Sequence, residues 1–108
     1  MDNISFDDFK KVELVLAEIT ECKEHPNADR LYVVQVDLGD EKRQLVAGIR
    51  HAYTAEELVG KKVIMVKNLE PATIRGEESQ GMILALSDEE NLSVLSPERT
   101  IALGSRAK

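Results

Sequence analysis

An all-β fold, built as a five-stranded antiparallel barrel, is what this sequence predicts, on three observations. The apolar residues fall in short, β-branched runs such as Leu31–Leu38, Arg43–Ile49 and Val63–Val66. The connections between successive runs are too short to host parallel crossovers. A single small helical pattern lies between the third and fourth runs, and no strand–helix–strand unit repeats.

The elements follow in chain order. Ser5 is an N-cap for one to two helical turns over Phe6–Val12, with Asp7 and Asp8 near the positive end and Lys10 and Lys11 toward the negative end. Phe6 and Phe9, three residues apart, share one face and are expected to pack on the sheet. Val12–Cys22 is β-branched and roughly alternating, which favours a long half-buried strand. His25-Pro26-Asn27-Ala28-Asp29 is a turn, Leu31–Leu38 the second strand, Gly39–Lys42 a tight polar turn and Arg43–Ile49 the third strand. Thr54-Ala55-Glu56-Glu57 has capping-box spacing, so Thr54–Val59 is a short helix closed by Gly60. Val63–Val66 and Met82–Leu86 are strands four and five. Asn91–Leu95 is a short further strand, and from Pro97 the chain runs as an extended tail with Ile101 and Leu103 packed. Strand–strand–strand–helix–strand–strand is the order of the five-stranded OB-fold barrel. The N-terminal helical turn and the C-terminal extension after about residue 91 are extra to a minimal barrel.

Strands four and five are joined by the most distinctive block of the chain, Asn68–Met82, a long polar connection. Connections of this length are mostly functional or disordered. This one, with turn formers, one arginine, a hydroxyl and an amide, is too specific in composition for a linker.

Composition bounds the rest. The 108 residues make one domain, 1–108, large enough to fold on a hydrophobic core, and 43% hydrophobic with 31% charged content is that of a globular protein. No apolar run approaches the ~20 residues that span a bilayer, so no membrane partner is expected. Met1–Ser5 has no basic n-region or apolar h-region, and Cys22 stands alone; both point to the cytoplasm. The net charge of −6 means that any nucleic-acid binding must rest on a local patch rather than on the overall field.

Metal binding finds no support, because His25, His51 and Cys22 have no zinc-like spacing and Asp88-Glu89-Glu90 lacks the pattern of a calcium loop. His25, beside Pro26, reads as a turn residue. Ser79 is in no nucleophile elbow, and Gly76 and Gly81 form no phosphate loop, so neither a catalytic residue nor a cofactor is expected. Cys22 reads as a small buried hydrophobe.

The chain resembles the family of OB-fold tRNA-binding domains, which occur free-standing and as the C-terminal domain of many bacterial methionyl-tRNA synthetases. The resemblance is carried by Asp8–Leu14, His25–Tyr32, Val46–Ile49, Glu56–Val63, Asn68-Leu69-x-Pro71 and Arg75-Gly76-x-x-Ser79-Gln80-Gly81-Met82. It implies a homodimer that binds tRNA by its folded shape, linked to or associated with an aminoacyl-tRNA synthetase. It places RNA contact on Arg75, Ser79, Gln80 and Met82, with Lys67 and Asn68 at the entrance. Arginine can fork onto phosphate, and Ser and Gln can bond phosphate or 2′-OH.

Glu70 and Thr73 stand where relatives commonly carry lysine, and Glu77 and Glu78 add further negative charge, so binding weaker than the family's is expected. Two Phe and two Tyr leave little platform for stacking single-stranded bases, which favours structured RNA. Three alternatives stay open. In one, Pro71 and Gly76 shape a structural loop while Met82 fills core; in another, the chain is a peptide-binding chaperone like an export-related sister branch of the fold; in the third, it is a purely dimerising synthetase appendage.

Overall fold

The structure, a computed structural model, describes residues 2–108. Its elements are α1 (Phe6–Lys10), β1 (Leu14–Glu24), β2 (Tyr32–Asp37), β3 (Lys42–Ala47), α2 (Ala55–Leu58), β4 (Lys62–Val66), β5 (Ala72–Ile74), β6 (Glu77–Ser79), β7 (Met82–Ile83), β8 (Ala85–Ser87) and β9 (Leu92–Val94). The main sheet runs β3-β2-β1-β4-β7 with every pairing antiparallel. It curls into the five-stranded OB-fold barrel that the strand order predicts.

β1 makes the curl possible by serving two partners. Its first half pairs with β4, from Leu14↔Val66 to Glu18↔Lys62, and its second half pairs with β2, from Glu18↔Asp37 to Glu24↔Tyr32. The register shifts between Ile19 and Glu21, and such a bulge bends a strand and raises its twist. The two-residue period then sends Val15, Ala17 and Ile19, Tyr32, Val34 and Val36, Leu45 and Ala47, and Val63 and Met65 into one core. α2 plugs that core with Leu58, which is fully buried. The capping box forms: Glu57 N–H donates to Thr54 Oγ1 at 3.2 Å, and Thr54 N–H donates to Glu57 Oε2 at 2.7 Å. Those bonds from Thr54 hold the Glu57 carboxyl below its ordinary range.

Several expectations are corrected. Ser5 caps α1 through the Asp8 N–H at 3.0 Å, yet no residue of the helix is buried and Phe6 is 70% exposed rather than packed on the sheet. The C-terminal segment already occupies that place: Gly104 N–H donates to Leu16 O, Leu16 N–H to Ser105 O and Ala107 N–H to Leu14 O. Phe6, Phe9 and Val12 instead line a shallow groove with Arg106 and Ala107. Of the two tail residues expected to pack, Leu103 is half-buried and Ile101 is 45% exposed. The fifth strand is split at Leu84, so that Met82–Ile83 pairs with β4 and Ala85–Ser87 pairs with β9. Met82 is 44% exposed and does not fill the core. Finally, the polar connection is no open loop: β5 and β6 form a hairpin in register Ala72↔Ser79, Thr73↔Glu78, Ile74↔Glu77. Among the described residues no helix is long and apolar enough to cross a membrane.

Gly81 sets the approach of β7 to the barrel. Its φ is +136°, and a Cβ there would stand 2.6 Å from Val66 O and 2.7 Å from Met65 Cε. Both the backbone region and the collision with a main-chain oxygen exclude a side chain. Gly81→Ala is expected to lower unfolding free energy by about 2 kcal/mol or more, read from urea denaturation.

Candidate functional site

The β5–β6 hairpin turns on two residues, Arg75 (φ +53°) and Gly76 (φ +93°). Positive φ at both central positions is the type I′ geometry that suits the twist of flanking strands. Glycine meets that demand without cost. Arginine does not, and Arg75 is the one non-glycine residue with positive φ among those described. The side chain at this tip is exposed and makes no ion pair among the described residues.

The hairpin has two faces, because directly opposed residues point the same way. Thr73 and Glu78 form the exposed outward pair; Ile74 and Glu77 are half-buried toward the barrel. Gln44 on β3 holds that inner side, donating from Nε2 to Glu78 O at 2.9 Å and to Glu77 Oε1 at 3.5 Å. At the tip, His25 Nε2 lies 2.9 Å from Ile74 O, and Asn27 Nδ2 donates to Arg75 O at 3.3 Å.

At its root the hairpin closes the barrel. Val46 N–H donates to Ser79 Oγ at 2.9 Å, and that hydroxyl donates to Gly81 O at 2.9 Å. Gln80 meets Gln44 twice: Gln80 N–H donates to Gln44 O at 2.8 Å, and Gln44 N–H donates to Gln80 Oε1 at 3.1 Å. Arg43 Nη1 gathers Gln80 O at 3.2 Å and Lys67 O at 2.6 Å, while Arg43 Nε sits 2.6 Å from Glu41 Oε1. The Lys67 ammonium is 3.6 Å from the same carboxylate. Arg43, and after it Lys67, hold the Glu41 carboxyl below its ordinary range. This linkage supports the fold at neutral pH and is lost as pH falls through the folded carboxylate's titration.

The six residues that the sequence singled out therefore separate by place and by surroundings. Lys67, Gln80 and Met82 gather at the root, where Met82 pairs with Val66, next to Lys67. Arg75 stands on the order of 15 Å away along the hairpin, at ~3.3 Å per residue. Ser79 is 4% exposed and turned inward. Asn68 faces α1: its Oδ1 accepts from Glu13 N–H at 2.8 Å and its Nδ2 donates to Lys11 O. Arg75 and Met82 are the two of the set with exposed side chains and no such internal bonds.

Arg43, Gln44, His25 and Asn27 are not among those six, although His25 and Asn27 lie in the His25–Tyr32 block that carries the resemblance. Arg43 and Gln44 were visible only as polar residues in a Val- and Leu-rich strand, and His25 only as a turn residue. A depression of about 750 Å³ between Cys22, Tyr32, Arg50 and Glu56 is lined by no residue of the hairpin. Burial, and secondly the Glu56 carboxylate, push the Cys22 thiol up to about 11, so it stays protonated at neutral pH. Among the described residues no three His, Cys, Asp or Glu side chains converge as a metal site.

Residues 14–106 match the protein family described as "Putative tRNA binding domain". The methionine–tRNA ligase of Thermococcus kodakarensis is 53% identical over 108 residues, which is all of this chain and 15% of that protein. The chain thus spans about a seventh of the length of the curated relatives it matches. Among solved structures, the MetRS related protein from Pyrococcus horikoshii superposes with a TM-score of 0.93 at 30% identity, covering 100% of both chains. The CsaA chaperone protein from Picrophilus torridus superposes with a TM-score of 0.91 at 25% identity, covering 98% of this chain and 100% of that one.

Ser79 separates a structural hydroxyl from a ligand contact. Ser79→Ala leaves the Val46 N–H and the Gly81 carbonyl without partners in a buried place. It is expected to lower stability by about 2–3 kcal/mol, against at most about 0.5 kcal/mol for Arg75→Ala. Chemical denaturation of the two variants checks the contrast.

Proposed function

The chain belongs to the tRNA-binding domain family, and from that premise we propose that it binds folded tRNA without catalysing a reaction, as a helper or appended domain of methionine–tRNA ligase. One observation carries the site. The chain keeps an arginine in the left-handed position of a hairpin turn, where Asn, Asp or Gly would be less strained. The strained residue is also the exposed, unpaired cation at the tip of a tethered hairpin. A guanidinium held there can fork onto a phosphate. Met82, exposed at the root, offers an apolar contact for a sugar or base face.

The 53% identity to a methionine–tRNA ligase, against 25% to a chaperone of the same fold, supports this reading over peptide binding. The root of the hairpin supplies little charge, because Lys67 and Arg43 share the Glu41 carboxylate. Affinity then rests on few cations and stays modest.

Turn chemistry makes the test sharp. Arg75→Asn relieves the left-handed strain while removing the cation. It is expected to raise stability by about 0.5–1 kcal/mol, weaken binding to different tRNAs by similar factors, and lower the salt slope by about one. Glu70→Lys, at an exposed position, is expected to strengthen binding. Fluorescence titrations at two salt concentrations, beside thermal melts, read both. A wild type that binds no tRNA at low salt, with Glu70→Lys changing nothing, would leave the dimerising appendage as the better account.

We also propose a two-fold homodimer, since Ile4 and Phe6 are each 70% exposed and Phe6 lines an apolar groove with Phe9, Val12 and Ala107. Light scattering at tens of micromolar is expected to give twice the chain mass. Phe6→Glu shifts the protein to monomer without unfolding it.

A further inference from the structure

We infer that His25 is the positioning residue for the hairpin tip that carries Arg75, an assignment that rests on the tRNA-binding reading above. The imidazole is 4% exposed, so it does not itself reach a ligand. Both of its ring nitrogens are engaged. Nδ1 lies 2.9 Å from Asn27 N–H, which can only donate, so Nδ1 carries a lone pair. The ring hydrogen of the neutral form is then on Nε2, which donates to Ile74 O at 2.9 Å. One residue on, Asn27 Nδ2 donates to Arg75 O at 3.3 Å. Two donors from one turn thus hold the carbonyls of two successive residues at the tip.

This tether matters because, among the described residues, β5 pairs with β6 alone. A two-stranded hairpin is marginally stable alone. The barrel grips this one at its root, through Ser79, Gln80 and Gln44, and Gln44 reaches up β6 as far as Glu77; beyond that, among the described residues, the tip is held by His25 and Asn27. The turn that supplies the tether is itself anchored. Pro26 fixes one backbone angle, His25 N–H donates to Leu31 O at 3.1 Å, and Arg50 Nη1 donates to Ala28 O at 3.3 Å. Arg50 in turn bonds Glu24 at 2.6 Å, so the tip is referred back to the end of β1. A freed tip samples many placements of Arg75, and apparent affinity falls with the fraction that is competent.

Two substitutions divide the ring's functions. His25→Asn keeps an acceptor for Asn27 N–H and is too short to reach Ile74 O. His25→Gln places an amide N–H where Nε2–H stands. In the purified chain, His25→Asn is expected to speed amide exchange across residues 73–78 by about tenfold and weaken tRNA binding about 3- to 10-fold, the size of one lost hydrogen bond. His25→Gln restores both. Arg75→Ala costs less in the His25→Asn background than in the wild type, because the two residues act through one placement. Asn27→Ala, at an exposed residue, removes the second tether without touching the ring and moves both readouts the same way. Unchanged exchange at 73–78 in both His25→Asn and Asn27→Ala, or faster exchange with unchanged tRNA affinity, overturns the assignment. A wild type that binds no tRNA overturns the function instead, and the exchange measurement still separates a tethered hairpin from a free one.

Discussion

Two backbone N–H groups on the outer edge of β3, those of Gln44 and Val46, decide how this barrel closes. β2 occupies the other edge of the strand. Left unpaired, such groups carry a free-energy cost when buried and invite strand addition when exposed. The chain satisfies them with side chains, the Gln80 amide oxygen and the Ser79 hydroxyl. Ser79 ends β6 and Gln80 follows it on the way to β7, so closing the barrel and rooting the hairpin are one event. The part of the chain with the most distinctive composition is thereby committed to the fold at one end and exposed to solvent at the other.

That division also orders the electrostatics. A chain of net charge −6 has no long-range field to draw in a polyanion. Near the hairpin the cations are further reduced, because Arg43 and Lys67 both answer to Glu41 and Arg50 answers to Glu24. Those pairs sit where they organise backbone: Arg43 spans Lys67 O and Gln80 O, and Arg50 reaches Ala28 O. In the proposed reading, recognition then depends on where a few groups stand rather than on how many charges face the ligand. A shape-reading mode for folded RNA is consistent with that, since position is what such a mode measures.

What was legible in the sequence was what is local. Thr54 and Glu57 announced their capping box, Ser5 its cap, and the β-branched runs their strands. The strand order was enough to reach the barrel. What was not legible is what depends on distant partners. Nothing near Phe6 reveals that the C-terminal segment has taken its place on β1. Ser79, Gln80 and Asn68 carry the side chains expected of ligand contacts, and within the chain their bonds run to Val46, Gln44 and Glu13. The hairpin itself escaped notice because Arg75-Gly76 is a poor match to the Asn-Gly signal of its turn.

That last miss has a physical content of its own. Sequence rules fail where a residue is held against its local preference, and such places concentrate at functional positions. In the proposed reading, position 75 is one where turn chemistry and ligand chemistry pull in opposite directions: the turn favours a small residue tolerant of positive φ, and a phosphate ligand favours a long cation. Type I′ geometry at the tip, β6 hydrogen-bonded to Gln44, and the tethers from His25 and Asn27 together over-determine the backbone there. Arginine can occupy the left-handed region because its surroundings leave it no other. The buried imidazole and the strained arginine are then two ends of one arrangement, in which a residue hidden from solvent fixes the place of a residue exposed to it.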